Sequence, residues 1–190
     1  MTPPSKLSFR VSIGGVDVTP YVDLKLYPPK IISALDEELD TATLVLVDAD
    51  AVAPVEWQEI IITDGATRIF GGYVITVDQQ EGSSKFKNSY ALGCSDYAAL
   101  LDKVYVKDQY ENKTDAEIIA SAFASSSELS GFDVSSHVTS LMNFPRARFN
   151  RRTVRDILDW ICQQTGGHWY VDYDKKLHYF GGEDSTAAYA

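Results

Sequence analysis

Long apolar segments are absent from this 190-residue sequence. No stretch approaches the roughly 18 consecutive apolar residues of a membrane-spanning helix, and the first residues do not have the basic-then-apolar order of a signal peptide. The sequence therefore predicts a soluble protein that stays in the cytoplasm where it is made and has no membrane partner. With 45% hydrophobic and 23% charged residues, the composition suits one good-sized globular domain or two small ones.

Cysteine is scarce as well, since only Cys94 and Cys162 are present. They lie far apart in the chain, one in an expected strand and the other on the apolar side of an expected helix. Two small buried hydrophobic side chains explain this placement better than a disulfide does. Redox chemistry is therefore not expected.

Motifs for catalysis and metal binding are also missing. The sequence contains no G-x-S-x-G, no P-loop and no G-x-G-x-x-G after a strand. His168 and His178 flank an expected hairpin without further ligands at a metal-binding spacing, and His137 is an isolated loop residue. The acidic residues 36–40, and Asp48 with Asp50, lack the glycine and distal glutamate of a calcium loop and are interpreted as a solvated edge. We expect no catalytic residues, no enzyme activity, no metal and no cofactor.

Positive charge is scarce overall but concentrated in one place. The net charge of −10 argues against nucleic-acid binding as the main function, because that function needs a basic surface. Five of the seven arginines fall within residues 146–155, which leaves −15 on the rest of the chain. The five are Arg146, Arg148, Arg151, Arg152 and Arg155. Placed on an expected loop before a helix, they predict salt bridges to acidic groups of another copy. A merely solvated basic face is the alternative.

The order of the patterns predicts an α+β fold. Alternating segments from Leu7 to Cys94, with an Asp64-Gly65 turn, indicate a β-rich domain over 1–95 built as an antiparallel sheet or barrel. Capping signals predict helices over 97–102, 114–126 and 153–165, followed by a hairpin over 168–180. We therefore expect an α+β part over 96–180 and a flexible tail over 181–190.

The segment 153–180 is the most informative. Thr153 and Asp156 form a capping box, the glycines at 166 and 167 end the helix, and the hairpin turn around Asp174-Lys175 has two or three residues. The positions expected on the apolar face of the helix are Val154, Ile157, Leu158, Ile161 and Cys162. The aromatic hairpin that follows contains Trp169, Tyr170, Tyr173, Tyr179 and Phe180. Packing on the helix explains most of these rings, and a protein interface or a carbohydrate platform is the alternative.

Taken in order, GYVITVDQQ, YALGCSDYAALLDKVYV, TDAEIIASAF, GFDVSS and the segment 153–180 resemble the baseplate hub and tail-tip proteins of long-tailed bacteriophages and their prophage relatives. The resemblance covers roughly residues 7–180, and the helix followed by WYVDYDKKLHYF is its most specific part.

The resemblance implies a structural protein of the virion tail, assembled in the host cytoplasm, with a barrel-like domain of the tail-tube type. It implies that copies form a ring or trimer that joins the tail tube to baseplate and spike proteins, with DNA at most as passing cargo. A receptor- or carbohydrate-binding module at the tail tip is the alternative. Hubs of this kind have two tube-like domains, and this sequence has one set of such strands. It is therefore either a fragment of a longer hub or a short variant that needs more copies to close a ring.

Overall fold

A computed structural model describes residues 9–33, 39–81 and 88–181. The chain divides into two compact units, Met1–Asp96 and Tyr97–Ala190, and this division lies next to the change of pattern that the sequence places after residue 95. Within the described residues, no helix is long and apolar enough to cross a membrane. The acidic residues 36–38 and the predicted tail, apart from Gly181, lie outside the described residues.

The first unit is built on one antiparallel sheet of seven strands. In chain order they are β1 (Phe9–Ile13), β2 (Val16–Asp17), β3 (Lys30–Ile32), β4 (Thr41–Val47), β5 (Glu59–Asp64), β6 (Thr67–Gln80) and β7 (Ser89–Asp96). Short 3-10 helices at Thr19–Tyr21 and Asp50–Val52 lie in its connections. The order across the sheet is β2-β1-β5-β6-β7-β4-β3.

This sheet is open, so the expected closed barrel is not formed by the described strands. The two edge strands, β2 and β3, have only two and three residues and pair with β1 and β4 rather than with each other. Edges this short offer few backbone groups for closure. The alternative that the sequence allowed, an antiparallel sheet, describes this unit.

Alternation explains how the sheet buries one face. In β4, Ala42, Leu44 and Leu46 are buried, and the residues between them are more exposed. The β5–β6 hairpin turns at Gly65, whose φ of 62° is a conformation that glycine adopts freely. The sequence prediction of a turn at Asp64-Gly65 is confirmed.

The second unit consists of two helices, a long two-stranded ribbon and a hairpin. After a 3-10 helix at Tyr97–Asp102, its elements are β8 (Tyr105–Thr114), α1 (Asp115–Ala124), β9 (Asn143–Thr153), α2 (Val154–Thr165), β10 (Gly167–Val171) and β11 (Leu177–Gly181), with a 3-10 helix at Ser127–Leu129. Strands β8 and β9 pair antiparallel with each other, and β10 pairs with β11. All three expected helical segments and the expected hairpin are therefore present.

Each α-helix begins where a ribbon strand ends. Thr114 closes β8 and caps α1 in a capping box with Glu117, and Thr153 closes β9 and caps α2 in the same way with Asp156. In each box the threonine side chain and the acidic side chain satisfy backbone N–H groups that the helix leaves unpaired. Gly166, with φ of 68°, ends α2 in the left-handed conformation that the sequence predicted.

Helix α2 supplies much of the core of this unit. Its buried residues are Val154, Ile157, Leu158, Ile161 and Cys162, the apolar face that the helical spacing predicted. Both cysteines are buried and neither is in a disulfide, as expected, and burial raises the pKa of Cys94 to about 12. A thiol with so high a pKa is almost wholly protonated at neutral pH and therefore unreactive.

The ribbon corrects one interpretation of the sequence. Residues 146–152 were expected to form a loop, but they belong to strand β9. Ala147 and Phe149 are buried between exposed arginines, so the segment alternates as a half-buried strand does. The charge of the segment obscured this period of two.

Replacing Ile161 with Ala should lower the free energy of unfolding by about 2–4 kcal/mol, because the side chain is fully buried and its removal leaves a cavity. Urea denaturation of the two proteins measures the difference. The exposed Gln163 on the same helix is the control, and its change to Ala should cost less than about 0.5 kcal/mol. Equal, small losses for both variants would contradict the assigned face.

Candidate interaction surface

Arg146 and Arg148 of β9 project from the solvent side of the ribbon. Arg146 and Arg148 lie opposite Glu111 and Gln109 of β8, and the residues between them face the helices. On that inner side the rings of Phe144 and Phe149 contact Trp160 of α2, with centroid distances of 5.1 and 5.3 Å. The solvent side is therefore charged and the inner side aromatic.

A bulge changes the alternation near the end of the ribbon. Lys107 pairs with Asn150 and Val106 pairs with Arg152, so Arg151 is an extra residue with no partner position on β8. Its φ of 55° is a left-handed conformation that is uncommon for arginine. As a result Arg151 and Arg152 are both exposed although they are consecutive.

Arg155 differs from the other four arginines. Its Nε atom donates to a carboxylate oxygen of Asp102 at 3.0 Å, its side chain is only 17% exposed, and its guanidinium lies 5.3 Å from the ring centre of Trp169. It is therefore neutralised inside its own unit. The side chain of Arg152 is 64% exposed, and its guanidinium lies 4.0 Å from the carboxylate of Asp156. An exposed ion pair at this distance contributes little to stability.

For Arg146, Arg148 and Arg151, no carboxylate of the described residues lies within ion-pair distance. We call Arg146, Arg148, Arg151 and Arg152 the arginine face. The sequence prediction of an interface at these residues stays a prediction, and the structure places its four exposed members on one ribbon.

The aromatic hairpin has a three-residue turn. The N–H of Asp172 donates to the carbonyl of Lys176 at 3.0 Å, which leaves residues 173–175 in the turn, with Lys175 at φ of 63°. A three-residue hairpin that ends in a left-handed residue is a common type. The choice between two and three residues, left open by the sequence, is thereby decided, and Tyr173 lies in the turn.

This turn sets which aromatic rings are buried. Trp169 and Tyr179 are opposite each other and face the core together with Leu177. The indole Nε1 of Trp169 donates to Asp159 at 2.8 Å. The other face of the hairpin carries His168, Tyr170, His178 and Phe180. Two of the five expected hairpin aromatics are therefore core residues.

On the outer face, flat side chains stack on one another. The rings of Tyr170 and His178 are 4.4 Å apart and almost parallel, at 3°. His137, which the sequence presented as an isolated loop residue, stacks on His178 at 4.5 Å and 22°. Both ring faces of His178 and one of Tyr170 are thus occupied by neighbouring rings. A sugar platform needs free ring faces, so this arrangement favours packing over glycan binding.

His137 reaches this position because its segment runs beside β11. The N–H of Tyr179 donates to the carbonyl of His137, and the N–H of Thr139 donates to the carbonyl of Tyr179, at 3.0 and 2.9 Å. The pairing is parallel at Val138 and Tyr179. Residues about 40 positions apart are joined in this way, a contact that no local pattern in the sequence indicates.

A buried carboxylate, Asp115, fixes the position of this hairpin. It is fully buried at the start of α1, and its oxygens accept four hydrogen bonds from other parts of the unit. The donors are the Ser140 hydroxyl at 2.7 Å, the Leu141 N–H at 2.8 Å, the Met142 N–H at 3.0 Å and the Tyr179 hydroxyl at 2.9 Å. One side chain thereby ties α1, the segment before β9 and β11 together. Sequence reasoning assigned Asp115 no role.

The balance of burial and hydrogen bonding keeps Asp115 ionised. Burial alone raises its pKa, but the hydrogen bonds from Ser140, Leu141 and Tyr179 outweigh this effect, so the pKa of Asp115 lies below its ordinary value of 3.8. Burial, with the adjacent carboxylate, raises the pKa of Tyr179. Tyr179 therefore remains a donor at neutral pH, and the network holds one negative charge.

The other candidate acids and histidines have structural contacts. His168 and His178 share a face, and Nε2 of His178 lies 3.1 Å from Asp172. Asp50 accepts from Asn88 and Tyr90. In the part of the chain that the structure describes, no group of three His, Cys, Asp or Glu residues could hold a metal ion.

Comparison with solved structures gives this fold a context. The chain is similar to a 43 kDa tail protein of prophage MuSo2 from Shewanella oneidensis, with a TM-score of 0.71 and 16% identity over 90% of this chain and 53% of that one. A tail protein from Neisseria meningitidis MC58 gives a TM-score of 0.63 and 14% identity, over 90% of this chain and 50% of that one. The chain has the fold of phage tail proteins.

This chain is also similar in fold to a protein of a secretion system. The Escherichia coli c3393 protein, a component of the type VI secretion system described as similar to bacteriophage T4 tail proteins gp27 and gp5, gives a TM-score of 0.55 and 14% identity, over 89% of this chain and 47% of that one. The chain spans about half the length of each of these three proteins. No protein-family model and no curated protein sequence matches it. The resemblance read from the sequence is confirmed at the level of the fold.

Replacing Asp115 with Asn should lower the free energy of unfolding at pH 7 by about 2–4 kcal/mol. The amide group of Asn has N–H donors where the buried donors of the network need an acceptor. Since the folded pKa is lowered, the carboxylate stabilises the fold above pH 3.8, and this contribution is lost as the pH falls through the folded value. Urea denaturation at several pH values should therefore show that the difference in free energy of unfolding between the parent and the variant decreases as the pH falls.

The exposed Asp78 of the other unit provides the control, since its change to Asn should leave stability nearly unchanged at each pH. A gap for Asp115→Asn that stays constant down to pH 2 would contradict the assignment of an ionised carboxylate.

Proposed function

We propose that this chain is a structural module of a phage or phage-derived tail, at the tail tip or baseplate hub where the tube meets the baseplate and spike. The observation that carries the proposal is the similarity in fold over 90% of the chain to a prophage tail protein. The similarity to a secretion-system component that is itself described as similar to T4 tail proteins gp27 and gp5 also supports a tail role, and the hub position comes from the resemblance of the sequence.

The proposed role is non-catalytic. The acids that could attract a catalytic hypothesis in the described residues are held by neighbouring donors: Asp115 by four of them, and Asp50 by Asn88 and Tyr90. A general acid or base needs an atom that can donate or accept a proton and that the substrate can reach. The buried position of Asp115 suits a structural anchor instead.

The proposed partners are further copies of this chain together with tube, baseplate and spike proteins. The chain spans about half of the tail proteins it resembles, so these partners are proposed for the part of such a protein that it represents. The virion tail is the corresponding location. A membrane partner has no place in this proposal, and DNA would be passing cargo only.

A receptor- or carbohydrate-binding module at the tail tip is the second candidate. The outer face of the hairpin, with Tyr170, His178 and Phe180, is the observation in its favour. The stacking of His178 between Tyr170 and His137 is the observation against it, because both ring faces of His178 and one of Tyr170 are already in contact.

Immunogold labelling of intact tails with an antibody to this chain tests the hub proposal. Gold is expected at the distal end of the tail, because a hub occupies the junction of tube and spike. Label against the main tube subunit, which should follow the whole shaft, is the control. If the gold label for this chain is distributed along the shaft, or is absent from purified tails, the proposal is contradicted.

Glycan binding separates the two candidates. A structural module should retain no host-surface glycan on an array. If one is retained, Tyr170→Ala should abolish its binding only under the second candidate, and Tyr105→Ala, an exposed tyrosine on the ribbon, is the matched control. Binding lost by the first variant and kept by the second would replace the structural proposal with a receptor-binding one.

A further inference from the structure

Strand β9 is positively charged, whereas the rest of the chain has a net negative charge. Strand β9, NFPRARFNRRT, contains four arginines and no acid. Removing these four from the total of −10 leaves −14 on the remaining residues. Outside β9, a second copy therefore carries a net negative charge, opposite in sign to the arginines of the first.

The geometry of the ribbon suits a fixed contact. Its inner side packs Phe144 and Phe149 against Trp160, so the backbone under the arginines is held in place before any partner arrives. Pre-ordering of this kind reduces the entropy lost on binding. The guanidinium group presents several N–H donors in a plane that matches a carboxylate.

An exposed aromatic ring lies beside the arginine face. Tyr105, at the start of β8, is 65% exposed and pairs with Thr153, next to Arg152. Tyrosine and arginine are the residue types that most often carry binding energy at protein interfaces. The ribbon therefore combines charge with an apolar anchor.

We propose that the arginine face of the β8–β9 ribbon docks onto the acidic surface of a second copy of this chain. The inference deepens the proposed tail function by assigning one side of the contact between copies, and it rests on charge and ribbon geometry rather than on the similarity to tail proteins. Nucleic acid is the less favoured partner, because the −14 carried by the rest of the chain repels phosphates.

There is a plainer reason for charged residues on such a ribbon. Two-stranded ribbons have unpaired edges, and charged side chains discourage the addition of further strands. In that case the arginines would be solvated and would contribute nothing to assembly. The two explanations predict different effects of charge reversal.

The test measures self-association of the full chain by sedimentation velocity at low ionic strength, for the parent and for Arg146→Glu/Arg148→Glu/Arg151→Glu. We expect the triple variant to associate about tenfold or more weakly and to keep its melting temperature, since no ion pair within the described residues is lost. Added salt should also weaken the self-association of the parent, because it screens the charges.

The control is Arg10→Glu/Lys25→Glu/Lys30→Glu, which makes the same change in net charge at exposed positions of the first unit. It should associate more strongly than the arginine-face variant. A monomeric parent, or equal association of the parent and both variants, would overturn the proposal. So would a parent that binds DNA oligonucleotides through these arginines while remaining monomeric. Tail labelling could fail while self-association holds, so the two proposals are separable.

Discussion

The buried carboxylate of Asp115 is the constraint on which the second unit depends. A charge removed from water must be fully hydrogen-bonded, and the four donors that satisfy it come from segments far apart in the sequence. Because those donors must meet at one point, the start of α1, the segment before β9 and the last strand cannot move independently. The orientation of the aromatic hairpin, and with it the burial of Tyr179, follows from this single requirement.

The ribbon connects this internal constraint to the outside of the molecule. Its strands end in the two threonines that cap α1 and α2, so the helices begin at fixed positions relative to β8 and β9. The aromatic inner side packs the ribbon against α2, while strand β9 carries four exposed arginines. The backbone that carries these charges is consequently held in place by the core, unlike the backbone of a mobile loop.

The similarity to tail proteins is a similarity of fold at 14–16% identity, over about half of each tail protein. A fold supports many functions, so the tail-tip role rests on this architecture together with the charge distribution. Contacts between copies are likewise part of the proposal, and the charge of β9 is the observation behind them.

Local signals were sufficient for much of this structure. The capping boxes at Thr114 and Thr153, the apolar face of α2, the Gly166 terminus and the Asp64-Gly65 turn each depend on residues within a few positions, and the structure shows all of them. The α+β class follows from the same patterns. Such features are encoded by side chain and backbone chemistry that does not need a partner from elsewhere.

Other features were decided only when distant segments met. Whether Arg155 was free or paired depended on Asp102, and whether His137 was isolated depended on its alignment with β11. The ribbon was not predicted because the concentrated charge of β9 obscures its alternation with the buried Ala147 and Phe149. Asp115 looked like an ordinary residue of the first helical turn. Its importance lies in donors about 25 and 64 positions away, and only the tertiary structure brings those donors to one carboxylate.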